Sequence, residues 1–206
     1  MIKVGLSGNR YSGKDRVVNL FKQIGIPVFN ADVVIKFILN YDYEIMNEIK
    51  DKIGSDAFIE GKLNSNYVIN NKFFDKILNI IEPKIFNAYE KFEKQNTQSI
   101  YTIFLSSILF ERDWNKKMNY TISVFAPKNE RIKRAKYLTD IDISSLHKLS
   151  NSELDELVKN KMADFVIHNY DSSIDSLDDV CLIDKKIIDN YLNILRNEKN
   201  KIQVTF

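Results

Sequence analysis

Ile2–Leu6 is a short apolar run that ends in Ser7-Gly8, the pattern of a buried strand. After a glycine-containing loop, Val17, Val18, Leu20, Phe21 and Ile24 recur at helical spacing. Gly25 then stands where a helix ends in a left-handed residue. Ile26–Phe29 predicts a second strand and Ala31–Leu39 a second helix with one apolar face. A β-loop-α-β-α opening requires a parallel sheet with right-handed crossovers. From Tyr43 to about Glu93 the spacing is helical throughout. One stripe holds Ile45, Met46, Ile49 and Ile53; a longer one runs Phe73, Phe74, Ile77, Leu78, Ile81, Ile85, Phe86 and Tyr89. Pro83 is expected to bend or break the second segment. Ile100–Leu105 and Tyr120–Phe125 return to strand character. Lys128–Leu138 and Ser152–Met162 read as helices, with a polar stretch at Thr139–Asn151 between them. Phe165–His168 predicts a last core strand, Asp184–Asn197 an amphipathic helix and Ile202–Phe206 a short terminal strand.

Composition narrows this picture without redirecting it. A chain of 206 residues, 44% hydrophobic and 28% charged, has the make-up of an ordinary globular domain. The net charge of +2 is interspersed, so no nucleic acid or membrane is demanded as a partner. The single cysteine, Cys181, excludes an intrachain disulfide and a cysteine-built metal site, and predicts a reducing, cytoplasmic setting. No basic-then-apolar leader precedes the first strand, and Ile100–Phe110 is too short to span a bilayer. Six glycines and three prolines leave no flexible linker. The expectation is one α/β domain over residues 1–206, a P-loop NTPase-type parallel sheet with flanking helices. A helical acceptor-binding insertion at about 40–95 and a lid at about 128–162 complete it.

The candidate chemistry sits in the first loop. Gly8-Asn9-Arg10-Tyr11-Ser12-Gly13-Lys14-Asp15 fits Gly-x-x-x-x-Gly-Lys, with Asp15 where Ser or Thr normally stands. Glycines let backbone N–H groups turn inward around phosphates, and a helix starting near Gly13 aims its positive end at them. Lys14 adds a full charge suited to the β- and γ-phosphates of ATP. Asp15 is a candidate Mg²⁺ ligand, directly or through water. The same carboxylate also places negative charge beside the phosphates.

Several segments, in order, resemble the dephospho-CoA kinase family. Ile24-Gly25-Ile26-Pro27-Val28-Phe29-Asn30-Ala31-Asp32 is similar to its Leu-Gly-Ile-Pro-Val followed by Asp-Ala-Asp. Ile108-Leu109-Phe110-Glu111 resembles the end of Pro-Leu-Leu-Phe-Glu, and Ala163–Asn169 resembles Ala-Asp-x-Val-Ile-x-Asn. The resemblance implies ATP-dependent phosphorylation of the ribose 3′-hydroxyl of dephospho-CoA, a small nucleotide-like acceptor. It implies Asp32 as general base, Lys36 on acceptor phosphate, Arg134 on the transferring phosphoryl group and Asn169 against adenine. Position agrees for Asp32, just beyond the second strand at the carboxyl edge of the sheet, where a carboxylate can take a hydroxyl proton. Residue types leave a second role open, because Asn30 or Asp32 would cap the helix beginning there. Arg131, Lys133, Arg134 and Lys136 form a basic cluster that a solvated helix face would also explain.

The chain departs from the family pattern at Asn30 for its first aspartate, Glu82 for histidine before Pro83, Ser107 for proline and Leu138 for a second lid arginine. These positions bear on the acceptor and lid more than on the triphosphate cradle. A deoxynucleoside monophosphate kinase, whose phage-type loops also carry Asp after Lys, is one alternative. A nucleotide-binding module without turnover is another. His147 and His168 have no partner motif and read as surface or strand-end residues.

Overall fold

The computed structural model describes residues 1–138, 154–170 and 176–203. The chain divides into two compact units, Met1–Val28 with Asn96–Phe206, and Phe29–Gln95.

The first unit is built on parallel strands. β1 (Ile2–Ser7) lies between β5 (Tyr101–Leu105) and β6 (Tyr120–Phe125), and β7 (Phe165–His168) pairs with β6. β2 (Val28–Asn30) takes the other edge, giving the order β2-β5-β1-β6-β7. The chain leaves β1 toward one edge and later returns to its other side. The loop after β1 therefore opens at the strand-order switch, the crevice where such sheets take ligands.

Parallel strands covered on both faces read as continuous apolar runs. On one face, Val4, Leu6, Ile103, Leu105, Ile122, Val124 and Ile167 pack with Val17, Val18 and Phe21 of α1 (Lys14–Gln23). Val180, Ile183 and Ile187 of the C-terminal helix join the same core. Each such side chain contributes about 1.5–3 kcal/mol when fully buried. On the other face Phe104 meets Trp114 edge-on at 5.9 Å, and Gly5 has no room for a side chain beneath Leu109. α1 stops as its sequence predicts: Gly25, at φ 86°, donates to the Lys22 carbonyl.

The second unit contains α2 (Ala31–Tyr41), α3 (Tyr43–Ile53), β3 (Phe58–Ile59), β4 (Lys62–Leu63), α4 (Ser65–Asn70) and α5 (Phe74–Gln95). Here the structure corrects the uniformly helical reading. Glu60 and Gly61 both have positive φ, 49° and 77°, and close a two-residue hairpin between β3 and β4. Consecutive left-handed residues match the twist of paired strands, and the Glu-Gly dipeptide was the overlooked signal. Nor does Pro83 break α5, which is continuous for 22 residues. Proline inside a helix costs about 3 kcal/mol. Five buried side chains of α5, Ile77, Leu78, Ile81, Ile85 and Tyr89, outweigh that cost at about 1.5–3 kcal/mol each.

Back in the first unit, α6 (Lys128–Leu138) follows β6, and α7 (Glu156–Met162) precedes β7. α8 (Ser176–Gln203) starts eight residues before the predicted helix and contains Ile202 and Gln203, so the expected terminal strand does not begin there. The polar stretch Thr139–Asn151, with His147, lies outside the described residues. Among the described residues no helix is long and apolar enough to cross a membrane.

Candidate active site

The loop between β1 and α1 is shaped by two close approaches and two left-handed residues. A methyl group on Gly8 would stand 2.5 Å from Ser12 Oγ and 2.8 Å from the Val124 carbonyl, so only glycine fits. Ser12 N–H donates to the Asn9 carbonyl at 3.0 Å and closes a tight turn. Tyr11 has φ 62° and Gly13 φ 85°. The alternation of left-handed residues with ordinary ones turns successive N–H groups to one side, a concavity suited to anions. Gly13 also provides the first carbonyl of α1, accepting from Arg16 and Val17 at 3.0 and 3.3 Å. Lys14 and Asp15, in the first turn of α1, have no carbonyl one turn before them, so helix geometry leaves their N–H groups available to an anion. Lys14 is half-buried and Asp15 exposed. Ser7 Oγ, Asn9 Oδ1 and Ser12 Oγ are buried polar atoms with no partner among the described residues, the kind of group that a bound anion or water can satisfy.

The outer side of the loop is held by α6. Arg131 Nη1 donates to the Arg10 carbonyl at 3.2 Å, and Arg134 Nη1 donates to the Tyr11 and Ser12 carbonyls at 3.1 and 3.0 Å. Arg134 Nη2 donates to the Asn169 carbonyl. Asn169 is itself buried, and its Nδ2 donates to the Ser12 carbonyl at 2.8 Å. The structure thus brings Arg134 and Asn169 to the predicted loop, bonded to its backbone. Lys133 and Lys136 face outward, and Lys133 pairs with Glu130 at 2.7 Å.

Sequence reasoning missed the partners of this arrangement. Glu156 Oε2 accepts from Arg131 Nη2 at 2.6 Å and from Asn9 Nδ2 at 3.2 Å. Lys159, 1% exposed, pairs with Glu111 at 2.7 Å and donates to the Ser107 carbonyl at 3.3 Å. Glu111 also accepts from the Leu154 N–H at 3.1 Å. Arg131 belonged to the recognised basic cluster, but nothing in helical spacing distinguishes an inward arginine from an outward one.

In the second unit, Asp32 stands in the first turn of α2. The cap of that helix is Asn30, whose side chain accepts from Val33 N–H at 3.1 Å. Lys36 follows one turn after Asp32 and lines a cleft of about 640 Å³ with Tyr41, Tyr43, Met46, Lys62 and Ser65. Asp42 caps α3, accepting from Ile45 N–H, and binds Lys84 at 2.6 Å. The Lys84 ammonium holds the Asp42 carboxyl below the usual range, and Asp42 in turn raises Lys84. Glu82 lies within α5 and Leu138 ends α6, whereas Ser107 offers its backbone carbonyl to Lys159. His168 ends β7, with its ring 5.5 Å from Phe125 and 5.8 Å from Tyr170.

The family profile described as dephospho-CoA kinase matches residues 2–175. The chain belongs to the dephospho-CoA kinase family. Among relatives, a dephospho-CoA kinase of Rickettsia felis is 27% identical over 190 residues, covering 91% of this chain and 97% of that one. One from Buchnera aphidicola is 29% identical over 172 residues, covering 81% and 79%. Among solved structures, a Thermus thermophilus protein superposes with a TM-score of 0.73 at 21% identity, covering 92% of this chain and 97% of that one. Dephospho-CoA kinase from Campylobacter jejuni gives 0.61 at 21% identity, covering 90% and 96%. At that identity these likenesses concern the fold, and they agree with a P-loop kinase sheet.

Proposed function

We propose that the protein transfers the γ-phosphoryl group of ATP to the ribose 3′-hydroxyl of dephospho-CoA, giving CoA and ADP. One observation carries this reading: in a chain of the dephospho-CoA kinase family, the loop from Gly8 to Asp15 has the geometry of a phosphate cradle with Lys14 at its helical end. In the proposed reaction a bond forms between the 3′-oxygen and the γ-phosphorus while the bond from the γ-phosphorus to the β-bridging oxygen breaks. Asp32 accepts the hydroxyl proton, and Lys14 offsets charge on the phosphates. With Asn30 as the cap, Asp32 is not required for that duty. Lys36, on the same helix one turn on, supplies a cation for an acceptor phosphate.

Kinases of this type use Mg²⁺ to bridge and neutralise phosphate oxygens. Asp15, exposed in the first turn of α1 directly after Lys14, is the carboxylate that would hold it. The remaining ligands would come from the nucleotide and water.

The test is an acceptor panel. Purified protein with ATP and Mg²⁺ is offered dephospho-CoA and several deoxynucleoside monophosphates, and ADP release is followed. Turnover with dephospho-CoA alone is the expected result; preference for a monophosphate would replace this reading with the other kinase. Lys14→Ala should abolish ATP binding or turnover. Asp32→Asn should lower the rate roughly 10²–10⁴-fold with ATP affinity retained, and wild-type turnover in that variant would remove Asp32 from its role.

A further inference from the structure

Three consecutive carbonyls of the phosphate loop, those of Arg10, Tyr11 and Ser12, accept hydrogen bonds from Arg131 and Arg134. The two arginines are one turn apart on α6. Since the carbonyl and N–H of a peptide unit point in opposite directions, fixing the Arg10 and Ser12 carbonyls outward turns the Tyr11 and Gly13 N–H groups inward, while the Ser12 N–H closes the turn onto Asn9. Tyr11 stands in the middle of this run in a left-handed conformation that costs a non-glycine residue roughly 1–2 kcal/mol. Such a residue persists only where its surroundings over-determine it. The inward N–H cradle is therefore held from behind.

Arg131 cannot perform this duty alone. Its side chain is 6% exposed, and a buried guanidinium with no counter-charge is strongly disfavoured. Glu156 supplies that charge, and the same oxygen, Oε2, also receives Asn9 Nδ2. Asn9 is a loop residue and Arg131 reaches the loop at Arg10. One carboxylate oxygen on α7 thus grips two consecutive loop residues, one directly and one through an arginine. Asn9 Nδ2 additionally donates to the Leu154 carbonyl at 3.1 Å, which anchors the entrance of α7 to the same place.

We propose that Glu156 is a positioning residue for ATP binding: through Arg131 and Asn9 it holds the phosphate loop with its N–H groups turned inward. It touches no reacting atom in this role. The inference rests on the loop being the ATP site, and the experiment separates the two. Because both donors converge on a single oxygen, Glu156→Gln keeps an acceptor in place while removing the charge, whereas Glu156→Ala removes both.

The experiment compares wild type, Glu156→Ala, Glu156→Gln, Arg131→Met and the Glu156→Ala/Arg131→Met double variant as full chains. ATP dissociation constants, KM for ATP and for dephospho-CoA, and Tm are measured for each. Glu156→Ala should weaken ATP at least about ten-fold, the scale of losing one partner of a buried ion pair. KM for dephospho-CoA should move less than two-fold, and Glu156→Gln, which keeps an acceptor but not the counter-charge of Arg131, should lose a large part of the ATP affinity that Glu156→Ala loses. The double variant should be no worse than Glu156→Ala, because removing Arg131 as well leaves no uncompensated buried charge. ATP affinity within two-fold of wild type in a folded Glu156→Ala protein overturns the proposal. So do equal rises in both KM values, or independent losses that multiply in the double variant. Should Glu156→Ala fail to fold, Glu156→Gln and Asn9→Ala carry the same comparison, and unchanged ATP affinity in both is equally decisive. Failure of wild type to bind ATP would instead overturn the kinase reading itself.

Discussion

A methyl group on Gly13 would stand 2.0 Å from Asn169 Nδ2, deep inside van der Waals contact. The residue is also left-handed at φ 85°, so alanine there meets backbone strain as well as a collision. Asn169 would have to leave the Ser12 carbonyl, and Arg134 Nη1, 3.3 Å from the same point, would be crowded. Gly13→Ala is accordingly expected to cost about 1–3 kcal/mol in loop conformation, a weakening of ATP of roughly ten- to hundred-fold. Titration with ATP checks it, and binding within two-fold of wild type would contradict the tight packing. Gly8, Gly13 and Lys14 were legible in the sequence because glycines, a lysine, a strand before and a helix after coincide at fixed spacing. Arg131 and Glu156 were not, since their pairing depends on which way two helices face. Nothing at 131 or 156 marks a side chain that crosses 25 residues of chain to find its partner. Asn169 lies between these cases. Its motif brought it to the nucleotide site by resemblance, but only the fold shows its amide engaged with Ser12.

At the level of elements, α5 tests how far burial overrides propensity. Pro83 cannot donate to the Asn79 carbonyl, yet its own ring is exposed while Ile81 and Ile85 on either side are completely buried. Replacing it removes a local defect and disturbs no packed surface. Pro83→Ala should therefore stabilise the helix by about 1–2 kcal/mol, less than the full helix penalty of proline because alanine also frees the unfolded chain. Thermal unfolding with an unchanged or lowered Tm would show that the ring has a packing role the burial does not reveal. The same imbalance explains which elements could be read in advance. β6, α6 and β7 have the residue limits expected from the sequence. The hairpin of β3 and β4 could not be found by periodicity. Two residues per strand are too few to show an alternation, so only the Glu60-Gly61 turn chemistry signals it.

Across the molecule, a partly buried hydrogen bond joins the last helix to the central sheet. Tyr101 of β5 is completely buried and its hydroxyl donates to Asp184 of α8 at 2.7 Å. Burial first, and then the hydrogen bond and negative charge of Asp184, push the Tyr101 hydroxyl far above its ordinary range. The consequence for stability has a definite sign. Below about pH 10, the ordinary tyrosine value, the hydroxyl is protonated in both folded and unfolded chains, and its contribution is fully present. Above it the unfolded chain releases that proton while the folded chain retains it, so stability falls by up to about 1.4 kcal/mol per pH unit. Tyr101→Phe should cost about 1–2 kcal/mol near neutral pH, through loss of a hydrogen bond to a carboxylate that half-exposure leaves water to solvate. Between pH 10 and 11.5 its stability should decline less steeply than that of wild type, and the two denaturant-derived curves should converge. The other nine tyrosines titrate in both proteins, so the difference isolates position 101. Parallel curves would mean that Tyr101 ionises as readily folded as unfolded, and that the contact with Asp184 does not hold α8 to the sheet.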